Sequence, residues 1–267
     1  MLVRVLGRAR LPELLPWQPL ASFYLPAALA YASGMLVSRR LFRRDFMNGV
    51  IAGFCCSFGN SVLLGLPLAL LAFGEDQMVP FLLLISVHGL AYFTLTTSLL
   101  EYGRQHGQPG RRLALGVLRG LATNPIVLGL VAGVVLNRSH LVLPEPVDRI
   151  LAYMQQAVTP CALFSLGASL TRHRVAGRLG EALVCVVVKL LLLPAAAGAL
   201  AGPVFGLGTP WVSAVMLLAA QPTGVNAWLF AERYAAGREL ATTSVLLSTA
   251  ASLLTLPALL LLWERLA

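Results

Sequence analysis

The sequence predicts an all-α integral membrane protein, and three observations carry that prediction. Apolar residues make up 58% of the 267-residue chain and charged residues only 12%, against roughly 45–50% and about 25% in an ordinary soluble domain. Apolar stretches of about 20 residues recur from end to end, each long enough to cross a hydrocarbon layer of roughly 30 Å as a helix. These stretches are runs of Leu, Ala and Val without the alternation of a strand, which favours a helical bundle over a barrel.

About eight transmembrane helices are expected, and each is bounded by a recognisable stop. The first, at about 18–38, ends at RRLFRRD (39–45), and the second, at about 46–73, contains the interrupted segment GNSVLLGLPLAL and ends at GED (74–76). The third, at about 79–101, runs into EYGRQHGQPGRR (101–112). NRSHLVLPEP (137–146) separates the fourth, at about 113–137, from the fifth, at about 147–171, which stops at TRHRVAGR (171–178). The sixth, at about 181–203, meets the Gly/Pro segment GPVFGLGTP (202–210). The seventh, at about 210–232, contains AQPTGVNAWLF, and ERYAAGRE (232–239) precedes the eighth, at about 240–263. No connection is long enough to form a separate soluble domain.

Charge gives an orientation. The connections after spans one, three, five and seven hold Arg39, Arg40, Arg43, Arg44, Arg104, Arg111, Arg112, Arg172, Arg174, Arg178, Arg233 and Arg238, whereas the other internal connections hold Arg138 and Arg149. Cytoplasmic loops are enriched in Lys and Arg, so the first set is expected to face the cytoplasm and both chain ends to face outward. Arg4, Arg8 and Arg10 in the opening segment run against that scheme, and missing upstream sequence would resolve the conflict. The net charge of +9 builds no basic stripe or folded basic domain, so a nucleic-acid partner is not expected. Cys55, Cys56, Cys161 and Cys185 lie in apolar segments without metal-ligand spacing, so neither a metal site nor another cofactor is expected. No Walker-type loop is present to couple ATP.

An internal similarity points to two repeats. ALFSLGASLTRHR (162–174) follows the rhythm of the opening MLVRVLGRARLPE: an apolar run, small residues, then arginines. On that alignment 1–105 is an incomplete first repeat, lacking the first span and most of the second, and 106–267 is a complete second repeat of five helices. The interrupted spans two and seven then occupy corresponding places. Paired Gly/Pro-interrupted apolar segments are the best sequence pointer to a transporter's binding site.

The physical reason is hydrogen bonding. Proline has no amide to donate and clashes with the preceding turn, and each backbone group left unpaired in lipid costs several kcal/mol. A break therefore survives at membrane depth where it is enclosed or lines a cavity. It also exposes half-helix ends, whose amino-terminal amides and partial positive charge suit a carboxylate. Gly65, Pro67, Pro222 and Gly224 are the expected helix breaks, and Asn60, Ser61, Gln221, Thr223 and Asn226 the expected neutral groups facing a small organic anion. Pro125, Pro160, Pro194 and Pro257 are expected to make kinks alone.

Ionisable residues inside spans are expensive and carry function by default. Lys189, the only lysine, falls near the middle of span six and is expected to neutralise either a substrate or the carboxy-terminal ends of broken helices. His88, near the middle of span three, has the chemistry of a proton relay, although a neutral histidine bonded between helices is the commoner use. No carboxylate is expected at mid-depth, which argues against cation-only exchange while leaving proton or sodium coupling open. Neither an Asp pair, a Ser/His dyad nor an H-E-x-x-H helix is present, so an enzyme is not expected. A non-transporting fragment or assembly subunit is the competing reading. The spacings Gly116/Gly120 and Gly129/Gly133 allow helices to pack within the chain or in a homodimer.

GNSVLLGLPLAL, ATNPIVLGLVAGVVL (122–136), TPCALFSLGASL (159–170), KLLLLPAAA (189–197) and the block 219–262 together resemble the auxin efflux carrier family, from about residue 18 onward. Its bacterial members are described as malonate or malate transporters or as permeases. The resemblance implies a multi-pass protein of the bacterial inner membrane with ten spans in two inverted five-helix repeats, related to the bile acid symporter and sodium/proton antiporter folds. It implies elevator-type alternating access and two broken crossover helices, with Asn60 and Pro67 in the first and Pro222 and Asn226 in the second.

Overall fold

The structure is a computed structural model that describes residues 17–74, 78–104, 125–139, 143–170 and 178–266. The helices are α1 (Trp17–Arg40), α2 (Phe46–Ser57), α3 (Ser61–Phe73), α4 (Val79–Arg104), α5 (Pro125–Arg138), α6 (Glu145–Leu170), α7 (Leu179–Val204), α8 (Thr209–Ala220), α9 (Asn226–Tyr234) and α10 (Arg238–Leu266). Among the described residues there is no strand beyond one isolated bridge pair. Helices α1, α4, α7 and most of α10 are long and apolar enough to cross a membrane. Span two is the pair α2 and α3, and span seven the pair α8 and α9, each divided where the sequence places its interruption. The opening segment 1–16, Gly116/Gly120 and the arginines at 111, 112, 172 and 174 lie outside the described residues.

Small residues set the packing of the interior. Helices α1 and α2 lie so close that a Cβ on Gly53 would stand 2.6 Å from the Tyr31 carbonyl oxygen, and one on Gly34 would stand 2.6 Å from Cys56 Sγ. Such contact of backbones is how helices associate where no water is available to drive them together. Cys55, Cys56 and Cys185 are buried and free, as small apolar residues would be, while Cys161 is free and exposed. Large apolar side chains point outward along α1, α5, α6, α7 and α10, Leu29, Val135, Tyr153, Leu192 and Leu254 among them. That surface suits lipid.

Polar chemistry gathers at one end. Asp45 caps α2 by accepting the Asn48 amide at 2.8 Å. Arg178, in the left-handed conformation at the start of α7, donates to Glu181 Oε2 at 2.6 Å and to Asn48 Oδ1 at 2.8 Å. Glu181 also accepts from Ser38 at 2.6 Å and is buried despite its charge, which its Arg178 partner and the added hydrogen bond make tolerable. Tyr234 donates to Glu101 at 3.0 Å, and Gly103 packs on Phe46 and Met47. These contacts bring the ends of α1, α4 and α9 together with the starts of α2, α7 and α10, so the described arginines of the charged connections share one end of the molecule.

Proline shapes the helices beyond simple kinks. Helix α3 opens with a π turn over Ser61–Gly65 ahead of Pro67, and α7 contains one over Val188–Leu192 ahead of Pro194. In each case the proline offers no amide to the turn before it, and that turn widens to reach the next donor. At Pro194, expected to make a kink alone, the consequence is a π turn that carries Lys189.

Candidate functional site

The two interruptions meet. The irregular residues 58–60 and 221–224 run past each other and form one isolated antiparallel bridge between Gly59 and Thr223. The Asn60 amide donates to the Pro222 carbonyl at 2.8 Å and the Gly224 amide to the Phe58 carbonyl at 3.0 Å. Each break thus supplies the partners that the other lost when its helix stopped, which removes the penalty of open backbone in lipid. Close approach requires Gly224, since a Cβ there would stand 2.5 Å from Phe58 Cε1 and 3.1 Å from the Gly59 carbonyl oxygen.

The amino-terminal ends of α3 and α9 open onto one cleft of about 370 Å³, within the range of small-ligand sites. Asn60, Ser61 and Asn226 line it, together with Ser86 and Gly89 of α4 and an apolar wall that includes Phe58, Ile85, Phe93 and Leu229. Among the described residues no charged side chain lines the cleft. A helix start carries partial positive charge, and two such starts face the same space; at α9 the Ala227, Trp228 and Leu229 amides already bond the Gly224 and Val225 carbonyls, so its contribution there is mainly that charge. Asn60 is almost fully buried and its Nδ2 has no hydrogen-bond partner, an unmatched donor just beneath the cleft wall.

Gln221 and Thr223 sit elsewhere. Both are fully buried and neither lines the cleft. Thr223 Oγ1 donates to the Cys55 carbonyl at 3.0 Å, closing the carboxy-terminal end of α2, and its amide donates to Ser248 Oγ at 3.0 Å. Gln221 Nε2 donates to the Leu217 carbonyl at 3.0 Å, while its Oε1 is unmatched. Gly65 packs on the Gln221 side chain, where a Cβ would stand 3.3 Å from Cδ. Pro222 is buried at the second break, whereas Gly65 and Pro67, expected as helix breaks, lie buried inside α3, past the first break at 58–60, where the π turn passes into α-helix.

Lys189 and His88 lie behind the crossing. Lys189 is fully buried and donates to the Ala219 carbonyl at 2.6 Å, at the carboxy-terminal end of α8. His88 stacks on Phe58, with ring centroids 4.9 Å apart, and touches Phe23 and Tyr92. Neither ring nitrogen makes a hydrogen bond of normal geometry; aromatic packing holds the ring, where a bonded histidine was expected. Among the described residues no group of His, Cys, Asp and Glu forms a metal site.

Sequence reasoning missed Ser86, Gly89 and Phe93. Their spacing of three and four puts them on one helical face, and small residues on that face were the available signal.

Comparison with known proteins agrees with this architecture. The profile of the family described as "Membrane transport protein" matches residues 6–260. A protein of Rhizobium meliloti (strain 1021) named "Putative malonate transporter" is 32% identical over 240 residues, covering 90% of this chain and 73% of the relative. The "Auxin efflux carrier component 5" of Arabidopsis thaliana is 27% identical, covering 74% of this chain and 66% of the relative. With a match across nearly the whole chain, apolar helices throughout and transporters as relatives, this is a multi-pass membrane transport protein and not an enzyme, and it belongs to the auxin efflux carrier family of membrane transport proteins.

Proposed function

We propose that the chain is a secondary carrier of a small organic anion, a mono- or dicarboxylate such as malonate or malate, in the bacterial inner membrane. The observation that carries the reading is a cleft onto which two helix amino termini open together beside Asn60, Ser61 and Asn226, with no charged side chain among the described residues that line it. Amides and neutral donors stabilise a carboxylate without burying a permanent charge that would hold it too tightly to release. The malonate named for the Rhizobium relative has the size and charge for this space. Gln221 and Thr223 serve from behind, fixing the backbone that presents Asn226.

Transport then follows alternating access, with the paired breaks carried as one body past the rest of the molecule in an elevator movement. Two repeats, 1–105 and 106–267, supply one break each. The arginine-bearing end faces the cytoplasm by the charge rule. A proton or sodium ion as coupling partner and a homodimer as the assembled state are compatible with this scheme.

Uptake of labelled malonate, malate and monocarboxylates into proteoliposomes tests the proposal. The expected result is saturable uptake of at least one carboxylate that falls about tenfold or more in Asn60→Ala and Asn226→Ala, equivalent to ~1.4 kcal/mol or more of lost binding. Unchanged uptake in both variants would remove the site.

A further inference from the structure

Arginines gather where α1 ends and α7 begins, and they are not used alike. The Arg39 guanidinium lies over the Phe46 ring, 5.6 Å from its centroid. Arg44 stands 3.6 Å from Glu181, and Arg178 bonds the same carboxylate. Elsewhere at this end Arg233 covers the Tyr234 ring and Arg238 pairs with Glu232 at 3.3 Å. Arg40 and Arg43 are exposed, and among the described residues their side chains make no ion pair, hydrogen bond or ring contact.

Leu41 lies between these two unpaired charges in the chain and is 69% exposed, whereas its neighbour Phe42 turns inward onto Gly180 of α7, where a Cβ would stand 3.7 Å from Phe42 Cε1. The backbone fixes that arrangement. The Leu41 and Phe42 amides donate to the Val37 carbonyl at 2.9 and 3.3 Å, and the Arg44 amide to the Ser38 carbonyl at 3.1 Å. Arg43 takes the left-handed conformation at φ 53°, which a non-glycine residue rarely adopts, and the Asp45 cap closes the far side. Because α1 is long and apolar enough to cross a membrane, the turn at its end lies at the depth of the lipid headgroups. There a guanidinium fork matches the geometry of a phosphate, and an exposed leucine has acyl chains to enter.

We propose that the α1–α2 connection is a binding site for an acidic phospholipid, in which Arg40 and Arg43 hold the headgroup phosphate and Leu41 enters the acyl layer. The charge rule accounts for arginines at this end but asks nothing of their geometry. The site consists of the two that the protein leaves unpaired on a fixed turn. Phosphatidylcholine carries its own ammonium beside its phosphate, so the preference is for a headgroup of net negative charge. What the carrier moves does not enter into this assignment.

The purified full chain in detergent is followed by thermal unfolding as phosphatidylglycerol or phosphatidylcholine is added, and retained lipid is measured by native mass spectrometry. Wild type is expected to melt higher with phosphatidylglycerol and to retain it preferentially, less so as salt rises. Arg40→Gln combined with Arg43→Gly should weaken that preference about tenfold or more. The same variant should melt no lower than wild type in detergent alone, because the Arg40 side chain makes no contact and glycine suits the left-handed turn. Arg138→Gln combined with Arg149→Gln, which removes equal charge from exposed positions on other connections, should keep the preference. Leu41→Gln should retain less of both lipids with the preference unchanged. Equal responses of wild type to the two lipids, an Arg40/Arg43 variant that keeps its preference, the same loss in the Arg138/Arg149 variant, or Leu41→Gln retaining lipid as wild type does would each overturn the proposal. Glycerol 3-phosphate raising the melting temperature of wild type as far as the lipid does would make this a site for soluble phosphate and overturn it as well. Should the Arg40/Arg43 variant fail to fold, Arg40→Gln alone still decides.

Discussion

The first break, at 58–60, is held by backbone and by ring packing, whereas the second, at 221–225, is anchored by its own side chains and by side chains from two helices, α7 and α10. Around the second, Thr223 reaches the Cys55 carbonyl and Ser248, Lys189 takes the Ala219 carbonyl, and Gln221 bonds back to Leu217. Around the first, Phe58 stacks on His88 and Phe54, the Asn60 carbonyl receives both Leu64 and Gly65, and the Asn60 side-chain nitrogen is unmatched. The difference teaches a division of labour. The second break is anchored on its far side, with Gln221 Oε1 its unmatched atom; the first keeps an unmatched donor on Asn60, a residue that lines the cleft. On the proposed function the two combine, a rigid support positioning a group that bonds the ligand.

The largest expected effect comes from separating the two breaks. Gly224→Val would drive a side chain into Phe58 and the Gly59 carbonyl, forcing the pairing open at a cost of about 3 kcal/mol or more. Size-exclusion profiles should show loss of the monodisperse species. A smaller change sharpens the comparison. Thr223→Val keeps the volume but leaves the buried Cys55 carbonyl unmatched, costing about 1–3 kcal/mol. Ser57→Ala beside the first break should cost under about 1 kcal/mol, since the Gly53 carbonyl that Ser57 caps lies inside a helix and has an amide partner there. Melting temperatures in detergent should therefore fall clearly for Thr223→Val and little for Ser57→Ala. Equal shifts would dissolve the contrast.

Much of this architecture was legible in the chain. Spans were readable because lipid permits few alternatives to an apolar helix, and the breaks because Gly, Pro and amides at GNSVLLGLP and AQPTGVN have no place in an uninterrupted one. Their partner was not legible: a backbone pairing between Gly59 and Thr223 leaves no residue signature beyond a tolerance for small side chains. Side-chain direction was lost for the same reason. Once a helix stops, its periodicity no longer says which way the next residues point, so Asn60, Ser61 and Asn226 face the cleft while Gln221 and Thr223 do not. Glu181 belongs to a span end, as expected, yet it is buried with Arg178 and Ser38. That burial depends on α1 and α2, which lie more than a hundred residues away in the chain. Ser86 carries no charge or helix-breaking signal of its own, so nothing in the sequence of α4 marks it as lining the cleft.

On the proposed function, the paired breaks present two helix starts to one anion. A structure of the protein determined with malonate tests this most directly. The account predicts a carboxylate at the starts of α3 and α9, within hydrogen-bond distance of roughly 3 Å from Asn60 or Asn226. Malonate bound away from the cleft, or α2–α3 and α8–α9 running on as unbroken helices, would contradict it.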